Sequence, residues 1–163
     1  MQPNADICPV CGMAVASSAY VKEHDKMYFY FCSEQCQSNF STRPNLYIKR
    51  LPGHPQPPQL KQRTLHLVEP LNAENAASIT AHLQQLMGMQ HIAINDNKLQ
   101  LEYDLLQVTE VQIEQSLNEI GVQLGEGWVE RLRRAWVHER ENNELDNLSA
   151  PARPCCNRAP PGT

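Results

Sequence analysis

Of the six cysteines in this 163-residue chain, four stand in two close pairs, Cys8 and Cys11 in CPVCGM and Cys32 and Cys36 in FCSEQC. Two short thiol pairs with 20 residues between them are what a tetrahedral soft-metal site requires, each pair supplying one edge of the tetrahedron. The same spacing also permits two disulfides. The opening MQPNADIC, however, has neither the basic nor the apolar stretch that directs export. The expectation is therefore a reducing, cytoplasmic setting, where thiolates take up metal more readily than they oxidise. His24 is a secondary candidate ligand, and so is the adjacent pair Cys155 and Cys156. That pair reads either as a dithiol that captures a soft ion and passes it on, or as incidental cysteines prone to oxidation.

These thiols need elements to hold them, and a segment of 50 residues is too short to bury a self-sufficient core without a staple. Gly12 after Cys11 suits a tight knuckle whose amides point toward sulfur. The aromatic run Tyr28 to Phe31 reads as a strand that delivers Cys32. Ser33 is placed to cap a helix with Cys36 in its first turn, where the positive helix end favours a thiolate. Phe40 follows one turn later, toward the core. Met13 and Met27 read as core or turn filler, and His24 more readily as a hairpin-end hydrogen-bonding residue than as a ligand.

The net charge of -4 is uneven: residues 64 to 163 carry 7 Lys/Arg against 14 Asp/Glu, which argues against nucleic acid as the principal partner. No apolar run approaches membrane-spanning length. Prolines 52, 55, 57 and 58 mark residues 51–63 as a stiff linker, and four more mark 149–163 as a disordered tail. Between them lie a unit at 64–125 and a helix at 126–148, after a first unit at 1–50.

In the unit from Thr64, strand TLHLVE precedes a helix capped by Asn72, with Ala76, Ile79, Leu83 and Leu86 inward and Gly88 ending it. HIAIN and KLQLEYD read as paired strands about Asn95 to Asn97. Thr109 and Gln112 form a capping box for a helix with Ile113, Leu117 and Ile120 inward, and Gly121 leads into the strand VQL. The order βαββαβ gives an α+β chain: a small zinc-finger-like module, a ferredoxin-like sandwich and a C-terminal helix. His66, His82 and His91 have no second donor at ligand spacing. In the last helix Trp128, Val129, Leu132 and Trp136 follow a 3.6-residue period, so the stripe is expected to pack on the sandwich with its arginines in solvent. The other reading is a helix that docks on a partner or a membrane surface.

CPVCGM, HDKMYFYFCSEQCQSNF and RPNLYI together resemble the YHS domain, one of the TRASH-like treble-clef metal-binding modules, over residues 5–48. Tyr30, His24 and Ser33 fall where the family's tyrosine, histidine and serine are expected, and Phe40, Pro44 and Tyr47 match its helical end. The resemblance implies heavy-metal handling, since such modules accompany copper-transporting ATPases, metal-responsive regulators and some oxygenases. Many members have aspartate where this chain has Cys8; a fourth thiol closes the shell and favours structural zinc. The family's glycine after the histidine is Asp25 here. YDLLQVTEVQIEQSLNEIGVQL is similar to the second half of a heavy-metal-associated domain, the fold of copper chaperones. The metal-binding CxxC of that family is missing from EPLNAEN, so the resemblance implies a degenerate copy used for docking or homodimerisation.

The reading is a non-enzymatic accessory or chaperone protein of metal homeostasis. One zinc, or copper(I) or another soft metal, sits in Cys8, Cys11, Cys32 and Cys36, and the partner is a metal-transporting ATPase or other metal-handling protein. The alternative is a zinc-stabilised protein–protein adaptor. No nucleophile stands at recognisable spacing from a base, and no glycine loop suits phosphate.

Overall fold

The computed structural model describes residues 7–15, 20–48, 57–125 and 127–150. Its elements are β1 (Tyr20–His24), β2 (Met27–Phe31), α1 (Glu34–Thr42), α2 (Pro44–Ile48), β3 (Leu60–His66), α3 (Ala73–Leu83), β4 (Met89–Asn95), β5 (Lys98–Asp104), α4 (Glu110–Glu119) and α5 (Trp128–Ser149).

β1 and β2 form an antiparallel hairpin with Tyr20 opposite Phe31 and His24 opposite Met27. Asp25 and Lys26 at its tip have φ of 49° and 63°, the left-handed pair that a two-residue hairpin turn needs, so two non-glycine residues make the turn. Alternation along β2 turns Phe29 and Phe31 inward, where their rings lie 4.7 Å and 5.1 Å from that of Phe40 on α1.

The larger sheet has the order β3-β5-β4, antiparallel throughout. Beyond β3 a single antiparallel bridge joins Leu67 to Leu124, in the segment expected as the strand VQL. Leu65, Leu99, Leu101 and Tyr103 meet Ile79 and Leu83 of α3 and Ile113 and Leu117 of α4 in one core. Both helices start at side-chain caps: Asn72 Oδ1 accepts from Asn75 N at 2.7 Å, and Thr109 and Gln112 complete a capping box. α3 ends at Leu83, earlier than its apolar stripe suggests, and Gly88 closes the turn into β4.

Two further elements depart from the sequence pattern. β3 starts at Leu60, inside the proline-rich stretch 51–63, because Lys61 and Arg63 pair with Tyr103 and Leu101 and Lys61 Nζ meets both Glu144 oxygens at 2.8 Å. α5 is turned over relative to its expected packing. Val137, Glu141 and Leu145 are its buried residues, whereas Trp128 is 75% and Leu132 61% exposed. The cause is a set of polar partners within the fold. Tyr103 donates its hydroxyl proton to Glu141 Oε1, Glu110 N donates to Glu141 Oε2 at 2.9 Å, and Arg63 reaches Glu110 at 3.2 Å and Glu141 at 3.5 Å. Rotating the stripe inward would leave those buried groups without partners, a larger loss than exposing a few apolar side chains.

The residues around the thiols share a core with the later half of the chain. Leu105, Leu106 and Leu145 pack with Cys8, Val10, Phe31, Cys36, Phe40 and Leu46. Gln35 Nε2 donates to Gln107 O at 3.0 Å, Asn39 Nδ2 to the same oxygen at 2.6 Å, and Tyr47 Oη to Leu106 O at 3.0 Å.

Gly88 tests that junction. It has φ of +95°, its carbonyl accepts from Asp104 N at 2.8 Å, and an added Cβ would lie 2.6 Å from Gln107 Cβ. Gly88→Ala is expected to cost about 2–4 kcal/mol in urea unfolding, through left-handed strain and displacement of the Gln107 loop. A loss below about 0.5 kcal/mol would show that the turn relaxes freely.

Glu110 supplies a pH test. Burial, then the Glu141 and Glu114 carboxylates, raise it from 4.5 to about 7 against the pull of Arg63. The folded state keeps a proton that the unfolded state has released, so this contribution is full below pH 4.5 and is lost as pH rises through about 7. The ceiling is about 3 kcal/mol. Glu110→Gln should flatten the fall in Tm across that window, and an unchanged slope would exclude Glu110 as its source.

Candidate metal centre

Each thiol pair is built by a different local device. In the first, Cys8 N donates to Met13 O at 2.8 Å and Gly12 N to Cys8 O at 2.9 Å, while Ile7 bridges Ala14. Gly12 adopts φ of +77° in this knuckle, with open space where a Cβ would be, so glycine serves backbone conformation there. In the second, β2 ends at Phe31 and releases Cys32, and Ser33 takes an extended conformation as N-cap of α1. Ser33 Oγ accepts from Cys36 N at 3.3 Å, which sets Cys36 in the first turn at the positive end of the helix.

The four Sγ atoms lie within 4.8 Å of one another. Cys11 and Cys32 are 3.3 Å apart, and Cys32 and Cys36 3.7 Å. A tetrahedral ion with bonds of about 2.3 Å needs sulfurs about 3.8 Å apart, so the donor set fits one thiophilic ion. A disulfide needs about 2.05 Å, and these four cysteines are free thiols. Cys8 and Cys36 are buried; Cys11 and Cys32 are partly exposed along one edge.

Without a cation the sulfurs compete for charge. Hydrogen bonds first from Cys11 and then from Cys36 hold Cys8 far below the usual thiol range, against its burial. Cys36 is pushed far above that range by Cys11, Cys8 and burial. Cys11 is drawn down by Cys36 but, more strongly in total, raised by Cys8, burial and Cys32, and ends at about 12. One thiolate thus suppresses its neighbours, and a dication in the centre would remove that conflict.

His24 does not join the four sulfurs: its Nε2 lies 3.4 Å from Asp25 Oδ2 and its ring meets Phe40 edge-on. Cys155 and Cys156 lie outside the described residues. The loop after β3, with Val68, Glu69 and Leu71, lines an open groove of about 470 Å³ that has no cysteine or histidine in its lining. His66 pairs with Glu130 and His82 with Ser116.

Sequence reasoning missed a second cluster, Glu110, Glu114 and His138, whose ligand atoms also lie within 4.8 Å. The spacing of Glu110 and Glu114 by four residues puts them on one face of α4, yet nothing local points to His138. Arg63 lies on Glu110, and Arg134 and His138 on Glu114 at 3.5 Å and 3.1 Å. Two guanidinium groups already balance these carboxylates, so the cluster ties α4 to β3 and α5.

No family model and no characterised protein sequence matches the chain. Among solved structures, one described as the CsoZ metallochaperone is similar over 41% of this chain and 99% of its own, with 17% identity and a TM-score of 0.38. That likeness is too loose to assign a fold.

The centre makes a local prediction. Removing metal with a chelator under reducing conditions should raise amide hydrogen exchange in residues 7–48 by at least about tenfold, with β3, β4 and β5 still protected. Uniform protection before and after chelation would show that the ion contributes nothing to holding this segment.

Proposed function

We propose that the protein binds one thiophilic ion through Cys8, Cys11, Cys32 and Cys36 and serves metal homeostasis as an accessory or chaperone, without catalysing a reaction. The meeting of four sulfurs within 4.8 Å carries this reading. Zinc is the expected ion, since four thiolates suit its tetrahedral preference, and copper(I) accepts the same soft donors. The partial exposure of Cys11 and Cys32 favours transfer. An incoming thiolate can displace those two ligands in turn while the buried Cys8 and Cys36 keep the ion in place.

The knuckle, hairpin and capped helix agree with a treble-clef module of the YHS/TRASH kind. The order β3-β5-β4 with the bridge at Leu124 agrees with a ferredoxin-like sandwich whose usual metal loop has lost its thiols. In this reading the second half docks a metal-transporting ATPase, another metal-handling protein or a second copy, in the reducing cytoplasm.

One observation favours the alternative of a zinc-stabilised adaptor: Cys8 and Cys36 are 0% exposed and continuous with Leu105 and Leu106 in the core, so the ion also holds the fold. Exchange kinetics separate the two. Zinc-loaded protein challenged with excess chelator, or with a thiol-rich acceptor, should release its ion within minutes while far-UV circular dichroism stays native. Release only on the timescale of unfolding would sink the transfer role and leave the adaptor.

A further inference from the structure

The first half of α5 presents an apolar face that neither core uses. Trp128, Val129, Leu132 and Trp136 are 75%, 55%, 61% and 60% exposed. Trp128, Leu132 and Trp136 recur every four residues, so they line one side of the helix, with Val129 beside them. These are the two tryptophans of the chain. The opposite side is fastened by Val137, Glu141 and Leu145, and by Arg134 and His138 on Glu114, so the helix cannot roll the stripe inward without breaking those contacts.

The rim of the stripe is basic. Helical spacing puts Arg133 and Arg140 along one flank and Arg131 along the other, and Arg140 Cζ lies 4.5 Å over the Trp136 ring. Among the described residues no acidic side chain forms an ion pair with Arg131 or Arg140, while Glu130 is engaged by His66 and Arg133. Glu139, three residues beyond Trp136, sits at the carboxy-terminal end of the stripe. This positive rim stands out on a chain of net charge -4.

From this geometry we propose that the first half of α5 docks the protein on an anionic lipid surface, with the helix lying in the headgroup layer and Trp128, Leu132 and Trp136 dipping below it. Tryptophan favours that boundary, because its ring is apolar and its N–H still finds a partner, and arginine stays with the headgroup phosphates. No helix among the described residues is long and apolar enough to cross a membrane, so the contact is a lateral one.

A second copy suits the face less well. Pairing two copies through it, parallel or antiparallel, sets arginine rim against arginine rim. The stripe also offers roughly 500 Å² per copy, short of the roughly 800 Å² that a stable interface buries on each partner.

Co-sedimentation of the full-length chain with phosphatidylcholine vesicles, with and without about 30% phosphatidylserine, tests the proposal, with tryptophan emission as second readout. Anionic vesicles should bind the protein and shift its emission to the blue, less so at high salt. Trp128→Ser with Trp136→Ser should lower the partition coefficient at least about tenfold. Arg131→Gln with Arg140→Gln should lower it about tenfold on anionic vesicles and leave the weak binding to neutral ones unchanged. Circular dichroism of each variant checks the fold.

Absence of binding at low salt, or binding that both double variants retain, overturns the proposal. So does blue-shifted emission without vesicles, whether it accompanies a dimer in sedimentation equilibrium or vanishes on removal of residues 151–163. The stripe would then be covered by a second copy or by the chain's own tail.

Discussion

Asp104, 2% exposed at the end of β5, accepts hydrogen bonds from Gln59 N at 2.9 Å, Leu106 N at 3.1 Å and Gln107 Nε2 at 3.0 Å. A buried carboxylate is tolerated only with donors of this kind, and here they bend the chain sharply between β5 and α4. The corner that results, residues 104 to 108, faces two ways. Leu105 and Leu106 enter the core that holds Cys8 and Cys36, while Val108 enters the core beneath the sheet. Its carbonyls receive Gln35, Asn39 and Tyr47, and its first amide binds Gly88 O. The position of α1 against the rest of the molecule, and with it the setting of Cys36, follows from that corner.

The same electrostatic rule governs both charged interiors. Four close thiols cannot all ionise unless a positive charge sits among them, and Glu141 is buried beside Glu110 only because Arg63 and the Tyr103 hydroxyl reach it while Glu110 keeps its proton up to about pH 7. In the second case the chain supplies its own cation. In the first, the charge would come from a bound ion, held by two buried sulfurs and two partly exposed ones.

Local features were readable from residue type and spacing. The knuckle around Gly12, the Ser33 cap that places Cys36, the Asn72 cap and the Thr109–Gln112 box each span a few residues, and their hydrogen bonds close within that span. The candidate site was legible for that reason: two local devices, each holding a pair of thiols. The hairpin turn through Asp25 and Lys26 was harder to read, since it lacks the glycine that usually signals positive φ. The early start of β3 was hidden by prolines, because the residues that recruit Lys61 and Arg63 lie about forty and eighty positions away.

α5 marks the boundary between the two kinds of information. Its sequence determined that it is a helix and which residues share a face, since a 3.6-residue period is a property of the backbone alone. Which face turns inward depended on Tyr103, Glu110, Glu114 and Arg63, brought together from β5, α4 and β3. A buried polar group must find a partner, whereas an apolar side chain merely prefers to be covered, so the long-range hydrogen bonds decided the rotation and left the tryptophans in solvent. The thiols obeyed the first kind of rule within each pair. Only the tertiary structure brought the two pairs to within metal-binding distance of each other and left Cys11 and Cys32 partly exposed, because Cys8 and Val10 of the knuckle enter the same core that Phe29, Phe31 and Phe40 build between hairpin and helix.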